Sequence, residues 1–258
     1  MSVLDVEDIA KSYGGVHAVR GVSFSVSEGE LVALIGPNGA GKTTTFNLLN
    51  GQIRPDAGTI RLDGIDVGGL DPAALWRHGV GRTFQITATF ASMSVIENVQ
   101  TALLSKQRNV RLSGRGHLFA RDEAMALLAL IGMADAAEQT CGLLAYGDLK
   151  RVELALALAS EPHLMLMDEP CAGMAPSERT ALMQLVHERT RTRGTAVLFT
   201  EHDMDMVFGF ADRVLVMDRG RLIANGTPSE IKSTADVRRV YLGNRVVADA
   251  SILAPVRR

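Results

Sequence analysis

The stretch LVALIGPNGAGKTT, Leu31 to Thr44, leaves this chain few folds to choose from. Leu31 to Ile35 is an unbroken apolar run, the pattern of a strand buried on both faces. Gly36, Gly39 and Gly41 then permit a tight loop that residues bearing a Cβ enter only at a cost. Lys42 and Thr43 open a helix whose unpaired N–H groups and positive dipole end face back into that loop. The spacing G-x-x-x-x-G-K-[ST] is a phosphate cradle. Backbone N–H groups surround the phosphates, the lysine reaches the β- and γ-oxygens, and the hydroxyl ligates Mg²⁺. With a strand before it and a helix after it, the motif predicts a nucleoside triphosphate site in an α/β core.

At 258 residues the chain has room for one large domain or two small ones. The net charge of −2, with no block of like charge, argues against nucleic acid or an anionic membrane surface as a partner. Cys141 and Cys171 lack metal-ligand spacing and read as free thiols in a reducing compartment. The start, MSVLDVEDI, alternates like a strand and carries acids where a signal peptide needs basic residues. No uncharged apolar run approaches the roughly 20 residues that span a bilayer. These features predict a soluble, cytoplasmic chain.

Residues 1 to about 30 read as strands, with turns at Gly14-Gly15 and Glu28-Gly29. RPDAGTIRLDGIDV continues as strand after Pro55 and Gly58. From Pro72 to Gly147 the character turns helical, with AALW, VIENVQTALL and DEAMALLALIG spacing apolar residues by three and four. Residues 112–119 read as a loop or weak helix. Strands return at HLMLMDEP and TAVLFTEH. Between them a helix starts at Pro176, shows Leu182, Leu185 and Val186, and ends before Gly194. A hairpin, RVLVM and RLIANG around Asp218-Arg219-Gly220, closes the core. One α/β core interrupted by a helical insertion is expected.

LMLMDE ends an apolar strand in two carboxylates. Asp168 is placed to hold Mg²⁺ or its water, and Glu169 to accept a proton from attacking water. Acids at strand ends are common; beside a phosphate cradle they read as functional. Cys171, directly after Pro170, is expected near the nucleotide. His202 ends a second apolar strand, where it can donate to a γ-phosphate. Gln85, in GRTFQ at the seam of core and insertion, can ligate Mg²⁺ or position water. Tyr13 can stack on adenine, and as a strand-edge residue it has an equal claim to do nothing. In LLAYGDLKRVELALALAS, Gly147 is expected to make a tight turn and Asp148 to cap a helix running to Ser160. That helix N-terminus is a second anion site, so each nucleotide is expected to be shared by two subunits.

In motif order (Tyr13, the loop 36–43, Gln85, 144–148, Asp168-Glu169, His202) the chain resembles the ATP-binding subunit of ATP-binding-cassette (ABC) transporters over nearly its whole length. GPNGAGKTTTFN, GRTFQ, SVIENV, LAYG and VRRVYLG are most similar to the branched-chain (hydrophobic) amino acid importer ATPases. The resemblance implies a P-loop core with an antiparallel β subdomain and a helical subdomain at about 88–153, all within residues 1–245, followed by a tail at 246–258. It implies ATP held by Gly36, Pro37, Asn38, Gly39, Ala40, Gly41, Lys42, Thr43 and Thr44, and Mg²⁺ held by Thr43, Gln85 and Asp168. Glu169 would be the base and His202 the γ-phosphate contact. The signature Leu144, Ala145, Tyr146, Gly147 and Asp148 would reach the partner's ATP.

Two departures stand out: LAYGD replaces the common LSGGQ and lacks its serine, and Ala175 stands where Asp or Asn is usual. The implied partners are transmembrane permease subunits, a second cassette of the same or a related chain and, indirectly, a periplasmic solute-binding protein. The chain would sit on the inner face of the membrane. An exporter ATPase of the lipopolysaccharide type, an importer of urea or short amides, and a non-transport ABC ATPase are the alternatives. No N-K-x-D motif supports a GTPase.

Overall fold

The computed structural model describes residues 1–83, 89–106, 120–234 and 237. The expectations for Gln85, for residues 112–119 and for the tail 246–258 lie outside the described residues. Strands β1 (Ser2–Tyr13), β2 (Val16–Ser27), β4 (Ala57–Leu62) and β5 (Ile65–Asp66) form an antiparallel sheet in the order β2-β1-β4-β5. The second sheet runs β10-β9-β3-β8-β7-β6, where β3 is Leu31–Ile35, β6 Val80–Thr83, β7 Leu164–Asp168, β8 Ala196–Thr200, β9 Arg213–Asp218 and β10 Arg221–Gly226. Four pairings make β6, β7, β8, β3 and β9 mutually parallel; only the β9–β10 hairpin is antiparallel.

Strands β3, β7 and β8 are apolar on every residue but the last of β7 and β8 because both faces are covered. Leu31, Ala33, Ile35, Met165, Met167, Val197 and Phe199 join one buried cluster, which extends among the helices. Val32, Leu34, Leu164, Leu166, Ala196 and Leu198 join the other, shared with Phe46, Leu48 and the antiparallel sheet. The period-2 alternation thus divides each strand between two cores.

Helices α3 (Val95–Lys106), α4 (Arg121–Leu130) and α5 (Tyr146–Leu158) pack together through Val95, Val99, Leu103, Ala124, Leu128 and Val152. Helix α1 (Lys42–Leu49) follows β3, and α2 (Pro72–Arg77) precedes β6. Helix α6 (Pro176–Arg193) joins β7 to β8, with Pro176 in its first turn and Gly194 closing it at φ 71°. Helices α7 (Met204–Phe210) and α8 (Pro228–Ser233) complete the described chain.

Two local expectations are corrected. Val80–Thr83 is a strand, not part of the helical stretch: Gly81 and Arg82 break any apolar alternation, and pairing with β7 supplies the hydrogen bonds. Helix α5 begins at Tyr146 with Ala145 as N-cap, so Gly147 and Asp148 are helical residues and neither the turn nor the cap. It ends at Leu158, short of Ser160.

Candidate functional site

Parallel register brings the functional residues to one edge of the sheet. Leu34 of β3 and Asp168 of β7 both pair with Thr200 of β8, so the three strands end level. Beyond those ends lies a cavity of about 520 Å³, lined by residues 38–44 of the loop and by Asp168, Glu169 and His202.

The loop's shape depends on its glycines. Gly39 and Gly41 take φ of 80° and 103°. A Cβ on Gly41 would drive into the Ala18 carbonyl and stand 3.3 Å from the Met217 methyl. The Lys42 side chain is buried and folds back, its Nζ donating to the Gly36 carbonyl at 2.7 Å and the Pro37 carbonyl at 3.2 Å. Burial lowers its pKa, while Glu169 and Asp168 oppose that shift. Thr43, one residue into α1, is exposed to the cavity.

Opposite, Thr200 Oγ1 donates to Asp168 Oδ1 at 2.6 Å, which fixes a nearly buried carboxylate. The Glu169 N–H donates to the same hydroxyl at 3.0 Å. Glu169 itself sits at φ 49°, a left-handed conformation costing about 1–3 kcal/mol for a residue with a Cβ. Its Oε1 lies 2.9 Å from His202 Nε2. The strained backbone and the Thr200 anchor hold this carboxylate in the cavity beside the imidazole. A hydroxyl at Thr43 and a carboxylate at Asp168 on one cavity are hard oxygen donors, the set Mg²⁺ takes, so the residues present fit that ion.

The other expected residues fall elsewhere. Tyr13 is half exposed at the end of β1, outside the residues lining the cavity; its hairpin partner β2 contributes Val16, His17, Ala18 and Arg20 instead. Leu144 to Asp148 stand apart from the cavity, where Ala145 and Tyr146 are exposed at the start of α5. Gly147 matters in another way than as a turn: a Cβ there would lie 2.7 Å from the Glu178 carboxylate and make it shift, and that carboxylate caps α6 by accepting from the Ala175 N–H at 2.9 Å. Alanine at 175 has no side-chain oxygen to close the reciprocal half of that cap.

Arg20, Arg219 and Thr200 are cavity or support residues that the sequence reading passed over. Arg219 occupies the turn of the closing hairpin, where its position suggested only a turn. Cys171 is 2% exposed, and its N–H donates to Glu201 Oε1 at 2.9 Å. Burial and the Glu201 carboxylate push its thiol pKa up. Alkylation of Cys171 in the folded protein is therefore expected to be negligible with or without Mg-ATP; a nucleotide-sensitive labelling rate, read by mass spectrometry, would refute this.

The family described as ABC transporter matches residues 19–172. The chain belongs to the ABC transporter family. It is an ATP-binding, ATP-hydrolysing cassette of that family. Among its relatives is the high-affinity branched-chain amino acid transport ATP-binding protein LivG of Salmonella typhimurium, 41% identical over 93% of this chain and 98% of the relative. The lipopolysaccharide export system ATP-binding protein LptB of Haemophilus influenzae is 35% identical over 95% and 99%. The ADP conformation of an ATP-binding cassette of an ABC transporter superposes with a TM-score of 0.83 at 30% identity, covering 94% of this chain and 99% of that one. A dimeric, post-hydrolysis cassette bound to ADP and Pi gives 0.76 at 26% identity, with 87% and 98% covered. Among the described residues no helix is long and apolar enough to cross a membrane.

Proposed function

We propose that this cassette powers the import of branched-chain amino acids from the inner face of the membrane, working as one of two cassettes beneath permease subunits fed by a periplasmic binding protein. The likeness to LivG over nearly the whole of both chains carries this reading. The exporter relative LptB is similar over a comparable length at lower identity.

In this reading the loop amides of residues 36–44 and Lys42 bind the phosphates, and Tyr13 meets adenine. Lys42, held on the Gly36 and Pro37 carbonyls, exchanges those acceptors for phosphate oxygens. Thr43, Asp168 and Gln85 would hold Mg²⁺, which neutralises charge on the phosphates when bound. Glu169 accepts the proton of the attacking water. Its contact with His202 holds the carboxylate until His202 turns its N–H to the γ-phosphate. The segment Leu144 to Asp148 at the start of α5, where Ala145 and Tyr146 are exposed, closes on the ATP of the second cassette through backbone N–H groups. Hydrolysis then reopens the dimer.

Gly147 tests the closure step. Valine there displaces the Glu178 carboxylate from the Ala175 N–H and so loosens the joint between α5 and α6. Gly147→Val is expected to hold ATP at the loop with wild-type affinity and to lose most of its turnover. Wild-type turnover in the purified dimer would remove this segment from the shared site. The importer reading is tested by reconstituting the cassette in proteoliposomes with candidate permease subunits and a periplasmic solute-binding protein from the same source. Leucine uptake that requires internal ATP is expected. No uptake from an assembly that still hydrolyses ATP would overturn it.

A further inference from the structure

The sheet has a second cavity at its other edge. It measures about 660 Å³ and includes His163 and Thr195, the residues that precede β7 and β8. The nucleotide cavity lies past the opposite ends of the same strands. No step of ATP hydrolysis uses this second space.

Its walls carry charge in an unusual arrangement. Arg189 and Arg193 lie four apart on α6, and both line the cavity. Like charges at that helical spacing repel. Burial lowers the pKa of Arg189, and Arg193 lowers it further, against Glu161. The Nε of Arg189 is buried and makes no hydrogen bond among the described residues. An oxyanion held between the outer N–H groups of the two guanidiniums would relieve the repulsion.

Negative charge stands on the same cavity. Glu28 is exposed at its rim. Glu161 takes φ 50° just past the end of α5, where glycine would sit without strain, and its carboxylate is kept at 2.6 Å from Lys106 of α3. Leu158 and Pro162, both almost wholly buried, belong to the apolar lining. Guanidiniums, carboxylates and an apolar strip on one concave surface complement a small zwitterion with an apolar side chain.

We propose that this second cavity binds an aliphatic α-amino acid, its carboxylate on Arg189 and Arg193, its ammonium on Glu28 and its side chain on Leu158 and Pro162. The zwitterion follows from the charges; the choice of an aliphatic member rests on the importer reading. Glu161, on the same cavity, is paired with Lys106 of α3.

Calorimetric titration of the purified full-length chain, saturated with a non-hydrolysable ATP analogue, tests the site with L-leucine as the probe. Leucine is expected to bind beside the nucleotide. 4-Methylpentanoate, which lacks the ammonium, and 3-methylbutylamine, which lacks the carboxylate, are each expected to bind at least about tenfold more weakly. The exposed Arg193→Gln and Glu28→Gln variants, with melting temperature and nucleotide affinity checked first, are expected to lose leucine affinity by a similar factor.

Absence of leucine binding at millimolar concentration, or unchanged affinity in Arg193→Gln, would overturn the proposal. Equal binding of the deaminated acid would overturn the zwitterion. Binding to the isolated cassette and uptake by the reconstituted transporter are separate readouts, so failure of the importer reading is visible apart from failure of this site.

Discussion

Glu169→Gln is expected to bind ATP as the wild type does and to hydrolyse it about 10²–10⁴ times more slowly, the usual scale for a lost general base. Glutamine keeps the shape of the side chain. It leaves the backbone N–H on Thr200 and retains an oxygen to face His202. The conformation at φ 49° depends on surroundings the substitution does not touch. Only the proton acceptor is removed, along with one negative charge beside the phosphate site. ATP affinity therefore holds or rises slightly, while the step that reopens the dimer stalls. Size-exclusion chromatography with ATP should show the variant as a persistent dimer, and single-turnover kinetics should show the slow chemical step. Turnover within a few-fold of wild type would place the base at another residue.

Lys42→Ala is expected to weaken ATP binding by about 10²–10³, from the loss of charge-assisted hydrogen bonds worth about 1.5–3 kcal/mol each. Without nucleotide the same ammonium serves the loop itself, on the carbonyls of Gly36 and Pro37. Alanine leaves those carbonyls to water, but it also ends the burial of a cation whose pKa desolvation already lowers. The two effects oppose, so thermal stability of the nucleotide-free chain should change far less than affinity does. Titration with a fluorescent ATP analogue, beside a melt of the same sample, separates them. Unchanged affinity would remove Lys42 from the phosphate site. A collapsed melt would show that its role is to hold the loop.

Residues 31–44 were legible because the chemistry there is local. A buried strand, glycines at fixed spacing and a helix N-terminus all lie within one short segment, and the backbone groups that face a phosphate follow from that segment's own torsions. Asp168 and Glu169 were legible because an apolar run that stops at two acids has only one end at which to place them. The closing hairpin and α6 were marked by Asp218-Arg219-Gly220, Pro176 and Gly194. Strand β6 was hidden, since an edge strand of four residues with glycine and arginine at its centre owes its existence to β7, far along the chain.

Gly147 shows where such reading stops. Its residue type was visible and the wrong reason was attached to it, because what a Cβ would meet is the carboxylate of Glu178, which arrives only when the first turn of α6 comes beside that of α5. The same holds for Thr200, whose hydroxyl serves Asp168 and Glu169 only through the register of β8 against β7. The bond from His202 to Glu169 likewise requires β7 and β8 to end level. The sequence by itself determined which groups can hold a phosphate, because those groups are backbone amides at fixed intervals. Tertiary structure alone decided which side chains face them, because parallel strands joined by long crossovers have no local rule for their neighbours.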